Sequence, residues 1–427
     1  MNGLARLIRA AAPDISPLRD SAPYRRLFAG QVVSLIGAQI TQVAVPLQVW
    51  EATGSTLAVS MLGVAGLAPL IVFGLYGGAI ADAVDRRKLA LVTGGVMLLV
   101  SVVLLAQATA GGGPLWLLFV CVAVQAGASA VDSPTRSAIL PQLVGPGKLA
   151  AANNLRQAGF QFGVITGPLI AGVVVGAGGY GWAYGLDVIS FAAVFYSVLR
   201  LPSLPPGDGG RRAGLASVME GLRFLAGNRT LLMTFLVDIN AMVFAAPRAL
   251  FPALAYGVYG GDATTAGLLY AAPAVGALAV TLVGGAVARV NRQGLGVVVS
   301  IGVWGAAIAL LGVSDVLWIG LAALFAAGAA DTVSAIYRST MLQAGTPSGM
   351  QGRLQGAHIV VVTGGPRLGD VRTGAVAGVF GPGASLISGG LICVAGIVTL
   401  ALAVPSFMRY DARAPLREDA SAPRSRR

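Results

Sequence analysis

The 427-residue chain is poor in charge, with Asp, Glu, Lys and Arg making up only 11% of it. A water-soluble domain carries about 25%, so the polar surface a soluble enzyme needs is missing. Histidine occurs once, as His358, which excludes an HExxH zinc site. Cysteine occurs twice, as Cys121 and Cys393, in separate apolar runs and without a CxxC pair. That excludes a disulfide scaffold and a thiolate metal centre, and both thiols read as small apolar packing residues. Gly145-Pro146-Gly147-Lys148 imitates a phosphate loop, but Leu149 follows and Gln142 takes the place of the required first glycine. No metal, no cofactor, no ATP-driven step and no enzymatic chemistry is expected. The ~10-residue alternating segments of an outer-membrane barrel are also missing.

Apolar sequence is what the chain has instead. Hydrophobic types make up 56% of it, and a bilayer-spanning helix needs ~20 consecutive mostly apolar residues. Twelve runs meet that length: 28–50, 60–81, 89–110, 115–137, 154–176, 180–201, 231–255, 264–287, 295–313, 316–337, 356–378 and 384–406. They predict an all-α membrane protein with twelve transmembrane helices.

The net charge of +12 follows this topology and is not a nucleic-acid footprint. With the N-terminus in the cytoplasm, the inward segments 1–27, 82–88, 138–153, 202–230, 288–294, 338–355 and 407–427 hold 23 of the 29 Lys and Arg. The outward loops hold none. This positive-inside pattern predicts both termini in the cytoplasm and a multi-pass protein of the cell inner membrane. The excess basic charge then meets anionic lipid headgroups. The first run is too long for a signal-peptide core, and no small-residue cleavage site follows it.

The runs divide six and six: a basic N-terminal segment 1–27, a first bundle 28–201, a linker 202–230, a second bundle 231–406 and a basic tail 407–427. Pro202, Pro205, Pro206 and Gly207 interrupt helix at the linker's start. Leu215, Val218, Met219, Leu222 and Leu225 then recur at helical spacing beside Arg223 and Arg229. That pattern fits an amphipathic helix on the inner membrane face or an ordinary linker helix. The halves also echo each other. Gly54–Ala81 aligns without gaps on Gly261–Ala288, with 8 of 28 positions identical and a basic loop after each copy. Arg136-Ser137 with Leu140 likewise matches Arg338-Ser339 with Leu342. Copies six spans apart keep one orientation, so this is a parallel repeat, as in transporters that rock two six-helix bundles about a midplane site.

The local motifs resemble those of the major facilitator superfamily. Gly78-x-x-x-Asp82 followed by Asp85-Arg86-Arg87-Lys88 is similar to its loop between spans two and three, with Ala83 where an Arg is usual. That resemblance implies a gating role for Gly78, Asp82, Asp85, Arg86 and Arg87. In span five, Gly163-x-x-x-Gly167-Pro168-x-x-x-Gly172 resembles the motif of proton antiporters and exporters, with Ala171 replacing one glycine. Asp132-x-Pro134-x-Arg136, Leu250-Phe251-Pro252 and Gly364-Gly365-Pro366-Arg367-Leu368-Gly369-Asp370 resemble the branch that contains the enterobactin exporter. The resemblance implies two pseudo-symmetric six-helix bundles and proton-driven export of a catecholate-type siderophore. Neighbouring branches export drugs.

Charged groups within hydrocarbon are costly and therefore candidate functional residues. Asp132 and Arg136 are four apart, Asp331 and Arg338 seven, Arg367 and Asp370 three, so each pair shares a helix face. The first two pairs occupy equivalent spans of the repeat. Each is either a structural ion pair or part of a basic entrance, where Arg136, Arg338 and Arg367 meet planar anionic oxygens. Proton coupling needs a carboxylate that burial can tune; Asp132, Asp238, Asp331 and Asp370 are the candidates. Asp238 has no Arg at helical spacing on its own span, and Asp187 reads as structural. Gln39, Gln42, Gln157, Gln161, Asn240 and Tyr270 are candidate uncharged groups of a substrate pocket. The expected partners are a small molecule, protons and membrane lipids, acting on a monomer. A multidrug exporter of lipophilic compounds is the alternative, and a non-transporting membrane sensor is the rival from another class.

Overall fold

The computed structural model describes residues 14–205, 215–287, 289–346 and 351–411, and within them every regular element is helical. Among the described residues, ten helices are long and apolar enough to cross a membrane. The difference from twelve apolar runs has two physical sources. The 51-residue stretch Leu149–Leu199 holds two helices, each long enough to span the ~30 Å hydrocarbon core, joined at a kink. It turns at Gly179, where φ is 76° and ψ −176°, a backbone conformation open to glycine. Spans five and six are thus two helices that double back at Gly179 and both lie along α1, with Gly159 beside Val32 and Ser197 beside Gly30. The second source is Gln351–Phe380, whose Arg353, Arg367, Asp370 and Arg372 lower its apolar character.

In chain order the long helices are α1 (Ala22–Thr53), α2 (Thr56–Ala83), α3 (Arg86–Thr109), α4 (Leu115–Val144), α5 (Leu149–Leu199), α6 (Leu215–Gly227), α7 (Arg229–Phe244), α8 (Ala263–Leu282), α9 (Gln293–Val313), α10 (Leu317–Ala344), α11 (Gln351–Phe380) and α12 (Pro382–Ala403). Ser21, Ser55, Asp85 and Asn228 cap α1, α2, α3 and α7, each accepting from a backbone N–H of the first turn. The chain forms two compact units. One comprises Met1–Gly214 with Pro252–Ala271, the other Leu215–Phe251 with Ala272–Arg427, so α8 contributes its first half to one unit and its second half to the other.

Packing inside each unit repeats the same scheme. In the first, α1 lies along both halves of α5, α2 packs on α4, and α3 packs on α5. In the second, α7 lies along α11 and α12, and α9 packs on α12. Pro273 of α8 meets Gly328 of α10. Lipid gives helices no hydrophobic reason to associate, so small residues and close van der Waals contact hold them together. A Cβ on Gly163 would sit 2.8 Å from Leu35, and one on Gly172 2.7 Å from the Ala263 carbonyl. The span-five motif is therefore the close-packing seam of α5 against α1 and the start of α8.

The linker helix α6 packs inward: Leu225 is buried with Leu231, Phe235, Leu342 and Leu354. Met219 stays exposed. Residues 206–214 of the linker, segment 1–13 and tail 412–427 lie outside the described residues.

Candidate transport site

The loop motif is built by backbone contacts. Asp85 Oδ1 accepts from the N–H groups of Arg87 (2.9 Å) and Lys88 (3.2 Å), and Oδ2 accepts from Ser203 Oγ at 2.7 Å. The Ser203 hydrogen bond, ahead of those from the backbone, holds this carboxyl below the usual aspartate range. Arg86 donates to the Ala138 carbonyl of α4 at 3.3 Å, and Arg87 to the Leu199 carbonyl of α5 at 2.8 Å. The loop therefore ties the start of α3 to the ends of α4 and α5. The side-chain positions of Gly78 and Asp82 lie outside the described residues.

In the first unit, Asp132 pairs with Arg136 one turn along α4, as the four-residue spacing predicts. Thr93 of α3 adds a 2.8 Å hydrogen bond to Asp132 Oδ1. Asp187 is fully buried, and Thr41 and Ser101 both donate to its Oδ2 at 2.7 Å. It joins α1, α3 and α5 through hydroxyls. Of the uncharged candidates here, Gln42 and Gln157 are exposed, whereas Gln39 is half-buried beside Gly167. Tyr270 is buried. One polar cluster escaped sequence reading. Gln48 and Gln107 exchange amide hydrogen bonds at 3.0 and 3.2 Å, and Tyr184 donates to Gln48 at 2.7 Å.

The second unit gathers most of the predicted charges. Arg338 of α10 pairs with Asp238 of α7, a partner 100 positions away, and lies 3.7 Å from Asp331 on its own helix. The Arg338 and Asp238 side chains are only 6% and 4% exposed, whereas Asp331 keeps 36% of its side chain open. Arg248, on the turn after α7, acts electrostatically on both Asp331 and Asp370. Asp370 also accepts from the Ala249 N–H and feels Arg367 three residues before it. Three carboxylates and three guanidinium groups thus form one continuous network. Sequence periodicity could place Asp331 beside Arg338, but no helical spacing links Asp238 to it.

Two neighbouring polar residues serve the scaffold. Asn240 donates to the Cys393 carbonyl at 2.9 Å, binding α7 to α12. Arg372 donates to the carbonyls of Phe244 (2.9 Å) and Ser385 (3.3 Å) and to Ser388 Oγ (3.1 Å), closing the end of α7 against α12.

Comparison with known proteins gives concordant findings. The family profile for transmembrane secretion effectors matches residues 12–422. The enterobactin exporter EntS of Citrobacter koseri is 28% identical over 394 residues, covering 91% of this chain and 94% of that protein. EntS of Escherichia coli O1:K1 is 28% identical over 397 residues, covering 92% and 94%. Among solved structures, a POT peptide transporter matches with a TM-score of 0.73 at 12% identity, over 91% of this chain and 95% of that one. A bacterial homologue of the iron transporter ferroportin, in an inward-facing state, matches with a TM-score of 0.67 at 15% identity, over 90% and 98%. At those identities the structural likeness speaks for the fold alone.

Proposed function

The chain belongs to the transmembrane secretion effectors of the major facilitator superfamily, and on that premise we propose that it exports a catecholate-type siderophore in exchange for protons. It is a multi-pass membrane transporter and not an enzyme. The proposed orientation keeps both termini in the cytoplasm, from the distribution of Lys and Arg. The observation that carries the reading is the network of Asp238, Asp331, Asp370, Arg248, Arg338 and Arg367 within the second unit. Ionisable groups at membrane depth are expensive and mark substrate or proton pathways. A network with one half-open acid, Asp331, combines a proton acceptor with access for a ligand. Similarity to enterobactin exporters over more than nine-tenths of the chain supports the substrate class.

Inverted membrane vesicles carrying the protein test the reading. Energised vesicles are expected to accumulate an iron-free catecholate siderophore, and a protonophore to abolish the uptake. Absence of protonophore-sensitive uptake refutes siderophore export. The partly open carboxylate of Asp331 also favours a second reading, export of lipophilic cations. Accumulation of a cationic dye without siderophore uptake would select it.

A further inference from the structure

Resting on the siderophore-export reading, the charge arithmetic of the network specifies which form of the ligand it binds. Three acids face three arginines, so the fully ionised network is neutral and holds no spare positive charge for an anion. A proton added to a neutral network leaves one guanidinium uncompensated and favours an anion's arrival. Linkage is reciprocal, so proton and anion then bind together, which is the wrong sign for exchange. A ligand that a proton expels must compete for the lone pairs the proton takes.

A metal-free catechol ring is such a ligand. At neutral pH its two vicinal hydroxyls remain protonated and present two adjacent O–H donors, matched to the two oxygens of one ionised carboxylate. A protonated carboxyl offers a donor where those hydroxyls need an acceptor. Of the two acids that Arg338 pairs with, Asp331 keeps a reachable carboxylate, with 36% of its side chain exposed, whereas Asp238 is 4% exposed. Buried oxygens Asp238 Oδ2 and Asp370 Oδ1 have no hydrogen-bond partner among the described residues, and they extend the acceptor character of this region. The groups acting on Asp331 are Arg338 from its own helix, Asp238 from α7 and Arg248 from the turn after α7. Neighbouring α9 carries no Asp, Glu, Lys, Arg or His, and the only titratable residue of α8 is Tyr270.

We infer that Asp331 accepts the vicinal hydroxyls of a neutral, metal-free catechol ligand, and that a proton displaces the ligand by occupying the same carboxylate. Arg338 is then a positioning residue that holds Asp238 and Asp331 apart. The ferric complex, whose catechol oxygens are deprotonated and already coordinated, lacks the donors and is rejected.

The test is equilibrium binding to the full-length protein in detergent between pH 5.5 and 8. The probes are an iron-free tris-catechol siderophore, its ferric complex and its O-methylated derivative, with 1,2-dihydroxybenzene as a minimal competitor. The wild type is expected to bind the iron-free forms more weakly as pH falls, and the ferric and O-methylated forms at least about tenfold more weakly than the iron-free one. Asp331→Asn loses a charge-assisted acceptor, so its affinity should drop by about tenfold or more and its pH dependence should flatten. Asp331→Glu keeps the carboxylate and is expected to retain the pH dependence, which separates a lost acceptor from a damaged fold. Wild-type affinity and pH slope in Asp331→Asn, or equal binding of the O-methylated or ferric form, overturns the inference. Vesicles that transport the iron-free siderophore alongside such a result leave export standing and sink only the Asp331 assignment. Vesicles with no uptake at all sink both.

Discussion

Replacing Arg338 by Gln removes the cation shared by Asp238 and Asp331. The dominant loss is at Asp238, whose side chain is 4% exposed. Removing one partner of a buried pair typically costs ~3–5 kcal/mol, because the other charge stays desolvated and uncompensated. The arm to Asp331 adds less. At 3.7 Å and an effective dielectric near 20, its Coulomb energy is about 4 kcal/mol before solvent screening, and a third of that side chain is open to screening. For a unit of roughly 200 residues, ~3–5 kcal/mol corresponds to a fall in Tm of roughly 6–20 °C. The assay is thermal unfolding of purified protein in detergent, followed by tryptophan fluorescence. A double variant, Asp238→Asn with Arg338→Gln, replaces the pair by neutral groups of similar shape and should recover most of the loss. An Arg338→Gln protein melting within ~2 °C of wild type, or a double variant no better than the single, would refute the shared-cation argument.

Other expectations concern the scaffold. Gly172→Val forces a side chain against the Ala263 carbonyl 2.7 Å from the Cβ position, and overpacking of that kind should cost ~1–3 kcal/mol in the same melts. Asp187→Ala strands the hydroxyls of Thr41 and Ser101, so it should lower Tm more than Asp187→Asn, which retains an acceptor. Asp85→Ala removes the cap of α3 and the tie to Ser203, a loss of about 1 kcal/mol. Because the folded Asp85 carboxyl titrates below its ordinary value, its contribution is present above about pH 4 and fades as pH falls through the folded value. Wild type and Asp85→Ala should therefore converge in stability only in strong acid; a gap unchanged at pH 3 counts against the charge-based part.

Membrane class, the placement of the spans and the internal repeat were determined by the sequence itself. Run length against bilayer thickness and the placement of Lys and Arg are one-dimensional quantities, and no tertiary contact is needed to read them. Pairs within one helix were legible for the same reason: Asp132 with Arg136 and Asp331 with Arg338 follow from helical geometry. Tertiary structure alone decided that Asp238 reaches Arg338 across helices, that Arg248 acts on two acids at once, and that Asp187 is sealed by Thr41 and Ser101. It also decided that α8 is shared between two compact units and that Gln48 pairs with Gln107. Each of these depends on which helix faces meet. In lipid those faces are chosen by close contact between small residues, such as Gly163 against Leu35, because an apolar exterior leaves no hydrophobic periodicity to mark the inside. Exposure is decided at the same level, which is why the sequence could name Asp238 and Asp331 together but not tell the sealed acid from the open one.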